Sequence, residues 1–158
     1  MPLDQNVPRW IFASISKHFD DNKQTLFLYI EGQPRATDHY RDFIELRVDG
    51  PRIVEQSKNY WELSVEINII ITSGMSDLDY HKIYKDVGIV VTAFTNAIPV
   101  YKYGADLVDD GTFLGCLALV RGGRTEESVL VRHFGLINPK DPLLQATVEG
   151  HYILFLST

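Results

Sequence analysis

The stretch that decides the fold is Trp61-Glu62-Leu63-Ser64-Val65-Glu66-Ile67-Asn68-Ile69-Ile70-Ile71. Apolar residues take every odd position, and Glu62, Ser64, Glu66 and Asn68 lie between them. A strand sends successive side chains to opposite faces, so this segment has one buried and one wet face. It exceeds the roughly 5–6 residues of a typical strand. Such length fits an extended sheet, or one shared between subunits.

On its C-terminal side, Ser73-Gly74-Met75-Ser76-Asp77 ends the strand, and Ser76 or Asp77 can cap a helix. Tyr80, Ile83, Tyr84, Val87, Val90, Val91 and Phe94 recur at helical spacing and predict that helix over Leu78 to Ala97. The β-branched residues between Val87 and Thr92 weaken helix propensity, so a strand from Val87 to Phe94 is the rival reading. The apolar period outruns strand length, which favours the helix, and Pro99 ends it. Tyr101 to Gly104 and Asp109-Asp110-Gly111 read as connecting stretches. Phe113 to Val120 and Ser128 to Phe134 flank Gly122-Gly123, the pattern of a β-hairpin with a loop at its tip. Asn138 to Pro142 is a proline-punctuated loop, and Thr147 to Leu156 is the last strand.

On its N-terminal side, Ile11, Phe12, Ile15 and Phe19 form the apolar stripe of a helix from Pro8 to Phe19, with Pro8 in the first turn. Leu26 to Ile30 is a short buried strand, and Gln33 to Tyr40 is a loop. Ile44, Leu46 and Val48 alternate in a strand from Phe43 to Val48. Asp49-Gly50-Pro51 is a turn signal, and Arg52 to Gln56 is a short strand beyond it. The predicted class is α+β: one domain over residues 1–158, a mainly antiparallel sheet flanked by two helices, with a loop-tipped hairpin.

The 158 residues are 45% hydrophobic and 23% charged, which excludes a disordered chain or a fibre. The net charge of -6 argues against a dedicated nucleic-acid binder. A single cysteine, Cys116, allows no intrachain disulfide. Met1 to Arg9 lacks the apolar core of a signal peptide, and no apolar run is long enough for a membrane span. The expectation is a cytoplasmic protein without membrane partners.

Chemistry-bearing motifs are few. The five histidines, His18, His39, His81, His133 and His151, stand in no metal-ligand spacing. Asp77, Asp79 and His81 read as a helix start, where acids complement the dipole, ahead of a metal site. Asp106, Asp109 and Asp110 read as a solvated turn ahead of a cation site or paired catalytic acids. Cys116 lies in an apolar strand without a basic neighbour, as a small hydrophobe does. No phosphate-binding glycine loop and no nucleophile elbow is present. Cofactors, metals and catalytic residues are therefore expected to be absent. Arg121-Gly122-Gly123-Arg124 resembles one copy of an RGG element, and equally a loop offered to another protein. Trp10, Ile11, Phe12, Ile15 and Phe19 are rich in aromatics for a small helix; core packing is the default and a subunit interface the alternative.

The element order is an amphipathic helix, a long alternating strand, a second helix, a loop-tipped hairpin and a closing strand. With Arg132 to Pro139 and Leu144 to Tyr152, it resembles the tail terminator proteins of long-tailed bacteriophages and the related neck and tail-completion proteins. The resemblance covers most of the chain as a pattern. It implies a non-enzymatic α+β subunit of a hexameric ring that caps the head-proximal end of the tail tube and stops its polymerisation. The implied partners are further copies of the chain, the tail tube protein and the head connector, with DNA passing through the channel without specific binding. The implied location is the virion, after assembly in the host cytoplasm. A heterologous ring contact closes when the rotation per subunit permits. Trp10 and Phe12 on the helix, and Asp38, Arg41, Arg121 and Arg124 on two loops, are the interface candidates. The rival classes are another neck adaptor, a monomeric binding module using the Arg121 to Arg124 tip, and an enzyme built on His81, His133, His151 and Cys116.

Overall fold

The computed structural model describes residues 2–31, 42–74, 81–104, 108–120, 129–136 and 143–158. Helix α1 spans Val7–Asn22. Strands β1 (Phe27–Ile30), β2 (Phe43–Ser57) and β3 (Tyr60–Gly74) follow, then helix α2 (Lys82–Thr95). The chain ends with β4 (Ile98–Tyr103), β5 (Asp109–Leu119), β6 (Val129–Leu136) and β7 (Leu143–Ser157). The α+β class therefore holds: a seven-stranded sheet in the order β1-β2-β3-β7-β5-β4, with β6 on β7, and two helices. Among the described residues, only the β1–β2 pair is parallel.

The alternation in Trp61 to Ile71 sets the centre of the sheet. β3 lies between β2 and β7, paired with β7 from Tyr60↔Ser157 to Gly74↔Leu143. Leu63, Val65, Ile67, Ile69 and Ile71 share one face with Val148, Tyr152 and Leu154, and all are buried in one core with residues of both helices. The opposite face is mostly polar. There Asn68 Nδ2 donates to Glu149 Oε1 at 3.3 Å, and His151 Nδ1 lies 3.7 Å from Glu66 Oε1.

Helix α1 starts a residue before Pro8 and runs three past Phe19. Val7, Trp10, Ile11, Ser14, Ile15 and Phe19 face inward. Buried Ser14 is satisfied by the Tyr101 N–H, which donates to its Oγ at 3.1 Å and ties α1 to β4. The helices meet where the Phe19 and Phe94 rings pack at 5.1 Å and His18 Nε2 lies 2.8 Å from the Ala93 carbonyl oxygen. Helix α2 is a helix, as its period predicts, over 82–95; the β-branched Val87, Val90 and Val91 are held by packing against β3, β7 and β6. His81 occupies the N-cap, and the expected caps Ser76 and Asp77 lie outside the described residues.

Four local expectations are corrected. Asp49-Gly50-Pro51 does not reverse the chain: β2 runs through it to Ser57 with a register shift between Asp49 and Arg52. Gly50 takes φ +111°, the Gly50–Pro51 bond is cis, and the reversal falls at Lys58-Asn59, with Asn59 at φ 65°. Pro99 lies inside β4, because the helix has already ended at Asn96, where the backbone turns extended. Asp109-Asp110-Gly111 begins β5 rather than forming a free turn.

The fourth correction concerns the hairpin. Among the described residues β5 and β6 are not paired with each other; both pair antiparallel with β7, Ala118 and Leu119 against Ile153 and Tyr152, and Val129 onward against Gly150. The Val120 N–H donates to the His151 carbonyl at 2.8 Å. Two strands antiparallel to the same third strand run in the same direction, so β5 and β6 continue one another along one edge of β7. Residues 121–128, between them, lie outside the described residues.

Candidate functional site

The four enzyme candidates do not converge. His133 pairs with Ala146 on the α2 side of the sheet, whereas His151 pairs with Glu66 on the polar side. Cys116 is exposed on β5 opposite Pro99. Only His81 and His133 come together, with Tyr84 between them: ring centroids lie 6.4 Å from His81 to Tyr84 and 5.0 Å from Tyr84 to His133. With Ile83, Gly135, Leu144 and Gln145 they line a pocket of 330 Å³. Among the described residues, no group of three or more His, Cys, Asp or Glu side chains could hold a metal ion. No described helix is long and apolar enough to cross a membrane.

The aromatic stripe of α1 divides between core and surface. Trp10 is 7% exposed, donates Nε1–H to the Tyr103 carbonyl at 2.9 Å and carries Lys102 over its ring at 5.4 Å. It is a core residue, the default expectation for this stripe, and not the interface residue also proposed for it: its ring is covered by this chain's own β4. Phe12, one position beyond Ile11, is 40% exposed and stays available to a neighbour. Asp38, Arg41, Arg121 and Arg124 lie outside the described residues.

At the C-terminal end of β3 a polar junction joins three elements. Buried Asp86 of α2 accepts a hydrogen bond from Ser73 Oγ at 2.5 Å. Asp42, just before β2, accepts from the Gly74 N–H at 2.9 Å and pairs with Lys82. Burial pushes the Asp86 carboxyl above its ordinary value; the Ser73 hydroxyl and Lys82 pull it back. The junction has a sequence signal. Ile83, Asp86, Val87 and Val90 fall on one helix stripe, and an acid in an apolar stripe needs a buried partner.

Two apolar patches stand at opposite ends of the sheet. At one end the Tyr60 and Phe155 rings stack at 5.7 Å, 5° from parallel. Register places Val54, Glu62 and Phe155 in one row across β2, β3 and β7. Val54 is 53%, Phe155 50% and Tyr60 39% exposed. At the other end lies the pocket, with Tyr84 60% exposed at its rim. Contiguous exposed apolar surface marks interaction sites, whereas single exposed hydrophobes do not. Sequence pattern pointed to neither patch as an interface, because each depends on which strands lie side by side.

No protein-family model matches the chain, and no curated protein matches it.

Proposed function

We propose that the protein is a structural, non-enzymatic subunit of a homo-oligomeric ring in the neck of a long-tailed phage. In this reading the ring is hexameric and caps the head-proximal end of the tail tube. It stops tube polymerisation and joins the tail to the head connector. The observation that carries the reading is the pair of exposed aromatic patches at opposite ends of one sheet. Surfaces of that kind suit head-to-tail association, in which each copy offers two different faces. Support also comes from the sequence resemblance. A channel that transmits DNA must not grip its phosphates, and a net charge of -6 is compatible with that.

The experiment is light scattering with negative-stain imaging of the full chain, alone and with purified tail tubes. Closed rings, or recruitment to one tube end with arrest of its growth, are the expected results. A strict monomer that tubes do not recruit would overturn the reading.

A further inference from the structure

We propose that the outer edge of β6 in one copy of this chain pairs, in parallel, with the outer edge of β2 in a second copy. The contact rests on the ring reading above and supplies its subunit interface. Backbone direction identifies both edges, because successive residues of a strand turn their N–H and C=O to opposite sides. The Glu31 N–H donates to the Leu46 carbonyl at 3.0 Å, so Leu46 points away from β3 and Asp49, three residues on, points towards it. Asp49 pairs with Glu66 and, past the register shift, Arg52 pairs with Ser64. Glu66 and Ser64 are two apart and face one side, so Arg52 also faces β3, and Ile53 and Glu55 face outward. On β7 the His151 carbonyl accepts from the Val120 N–H, so Glu149 and Thr147 face their partners Leu130 and Arg132. Val129, Val131 and His133 therefore face outward. No described strand pairs with either edge. Backbone donors and acceptors open at alternate residues are matched by another extended strand.

Side chains select the second copy as occupant and fix the register. With Val131 beside Val54, the Val131 N–H donates to the Ile53 carbonyl and the Val131 carbonyl accepts from the Glu55 N–H, as a parallel ladder requires. Leu130 then lies beside Ile53, and Arg132 beside Glu55. The paired stretches, 129–133 and 52–56, carry four ionisable side chains: Arg132 and His133 on β6, Arg52 and Glu55 on β2. Arg132 meets Glu55, His133 meets Gln56, and Arg52 lies beside Val129 at the open end of the pair. Opposite charges side by side fix the register. The alternatives set Arg132 against Arg52, set Glu55 against Leu130, Val131 or Phe134, or run across the register shifts that interrupt β6 and β2. Ile53 and Val54, 41% and 53% exposed, gain apolar neighbours in the paired form. The two edges are unlike, so the contact is heterologous and propagates from copy to copy.

The test uses the full chain. Val131→Pro and Ile53→Pro each remove an outward N–H that no internal ladder uses, the place where an edge strand accepts proline. Circular dichroism and urea midpoints check that they fold. Light scattering is expected to show assemblies for the native chain and monomers for each proline variant alone. Mixing V131P with I53P is expected to give a two-chain species, because each supplies the edge that the other lacks. A second pair of variants does not depend on proline. Arg132→Glu or Glu55→Arg alone is expected to raise the concentration of half-assembly at least about tenfold, and R132E/E55R to restore it. A native chain that stays monomeric, a folded proline variant that still assembles, or a double reversal that restores nothing would each overturn the proposal. Rings built on tail tubes by those same variants would overturn this contact and leave the ring reading standing. Open chains of native protein that V131P abolishes would keep this contact and overturn the ring.

Discussion

Tyr152 Oη donates a hydrogen bond of 2.6 Å to the main-chain carbonyl of Phe94, and both side chains are fully buried. Phe94 lies in the last turn of α2, whose final carbonyls have no partner within the helix. The phenol thus satisfies the carbonyl of buried Phe94 and fixes α2 on β7. Tyr152→Phe keeps the ring and removes the donor. The expected loss is about 1–3 kcal/mol, the cost of a stranded buried carbonyl. Urea unfolding should show a lower midpoint with unchanged slope. Burial also pushes the Tyr152 phenol above its ordinary 10.0. As pH rises through 10, the unfolded chain loses this proton and the folded chain keeps it, so stability falls there. Y152F should remove that part of the alkaline loss. An unchanged alkaline profile would show that Tyr152 is not the group.

Gly150 faces the same aromatic. A Cβ there would sit 2.7 and 2.9 Å from two ring carbons of Phe94 and 3.1 Å from Leu119 Cδ1. Phe94 is fully buried and cannot swing aside. Gly150→Ala is expected to destabilise by about 1–3 kcal/mol through overpacking. Phe94→Leu frees the space, so the double variant should be less destabilised than the two losses added. A double-mutant cycle reads this directly, and strict additivity would contradict the clash.

The elements legible in the sequence are those whose signal is local. Alternation from Trp61 to Ile71 predicts β3, and the Ile11, Ile15 and Phe19 stripe predicts α1, each to within a few residues. Pairing is not local. A glycine pair between two apolar runs looks the same whether the runs pair with each other or both join a third strand, as β5 and β6 join β7. Asp49-Gly50-Pro51 likewise has one chemistry for a turn and for a register shift inside a strand. The candidate surfaces divide the same way. His81 and His133 are conspicuous in sequence, but their meeting across Tyr84 depends on α2 packing on β6. Trp10 fits a core or an interface equally well by type, and only its covering by β4 decides for the core, while the stacking of Tyr60 on Phe155 depends on the β3–β7 register.

Asp86 makes the junction at the end of β3 sensitive to pH. Its carboxyl is raised above the ordinary 3.8 by burial; Ser73, Lys82 and Lys85 oppose the shift and Asp42 adds to it. The sign is set by which state holds the proton. Below 3.8 both states are protonated, and above the raised value both are charged. Between them the folded chain keeps the proton that the unfolded chain has lost, so stability falls as pH rises. Asp86→Asn stays neutral and still offers Ser73 an acceptor. The stability of D86N relative to the native chain should therefore rise as pH climbs from below 3.8 into that interval, then level off. Denaturant titrations across pH measure the difference. A gap that moves the other way would mean that the charged carboxylate is the form the fold prefers. Asp86→Ala, which strands the Ser73 hydroxyl, should be about 1–3 kcal/mol less stable than D86N at any pH.

Thr147 offers the opposite case, a residue whose replacement should stabilise. It lies in β7 opposite Ile70 of β3 and Arg132 of β6, and is 8% exposed. Its Oγ1 is buried with no hydrogen-bond partner among the described residues. A buried hydroxyl without a partner costs about 1–3 kcal/mol by mutational measures. Thr147→Val keeps the branched shape that suits a strand and removes the desolvated oxygen. The expected gain is about 1 kcal/mol, which for a chain of this size raises the melting temperature by roughly 2–4 °C. Calorimetry of T147V at neutral pH measures it. A lower melting temperature would show that the hydroxyl has a partner in solution, and would identify Thr147 as a bonded position on the polar face of the sheet.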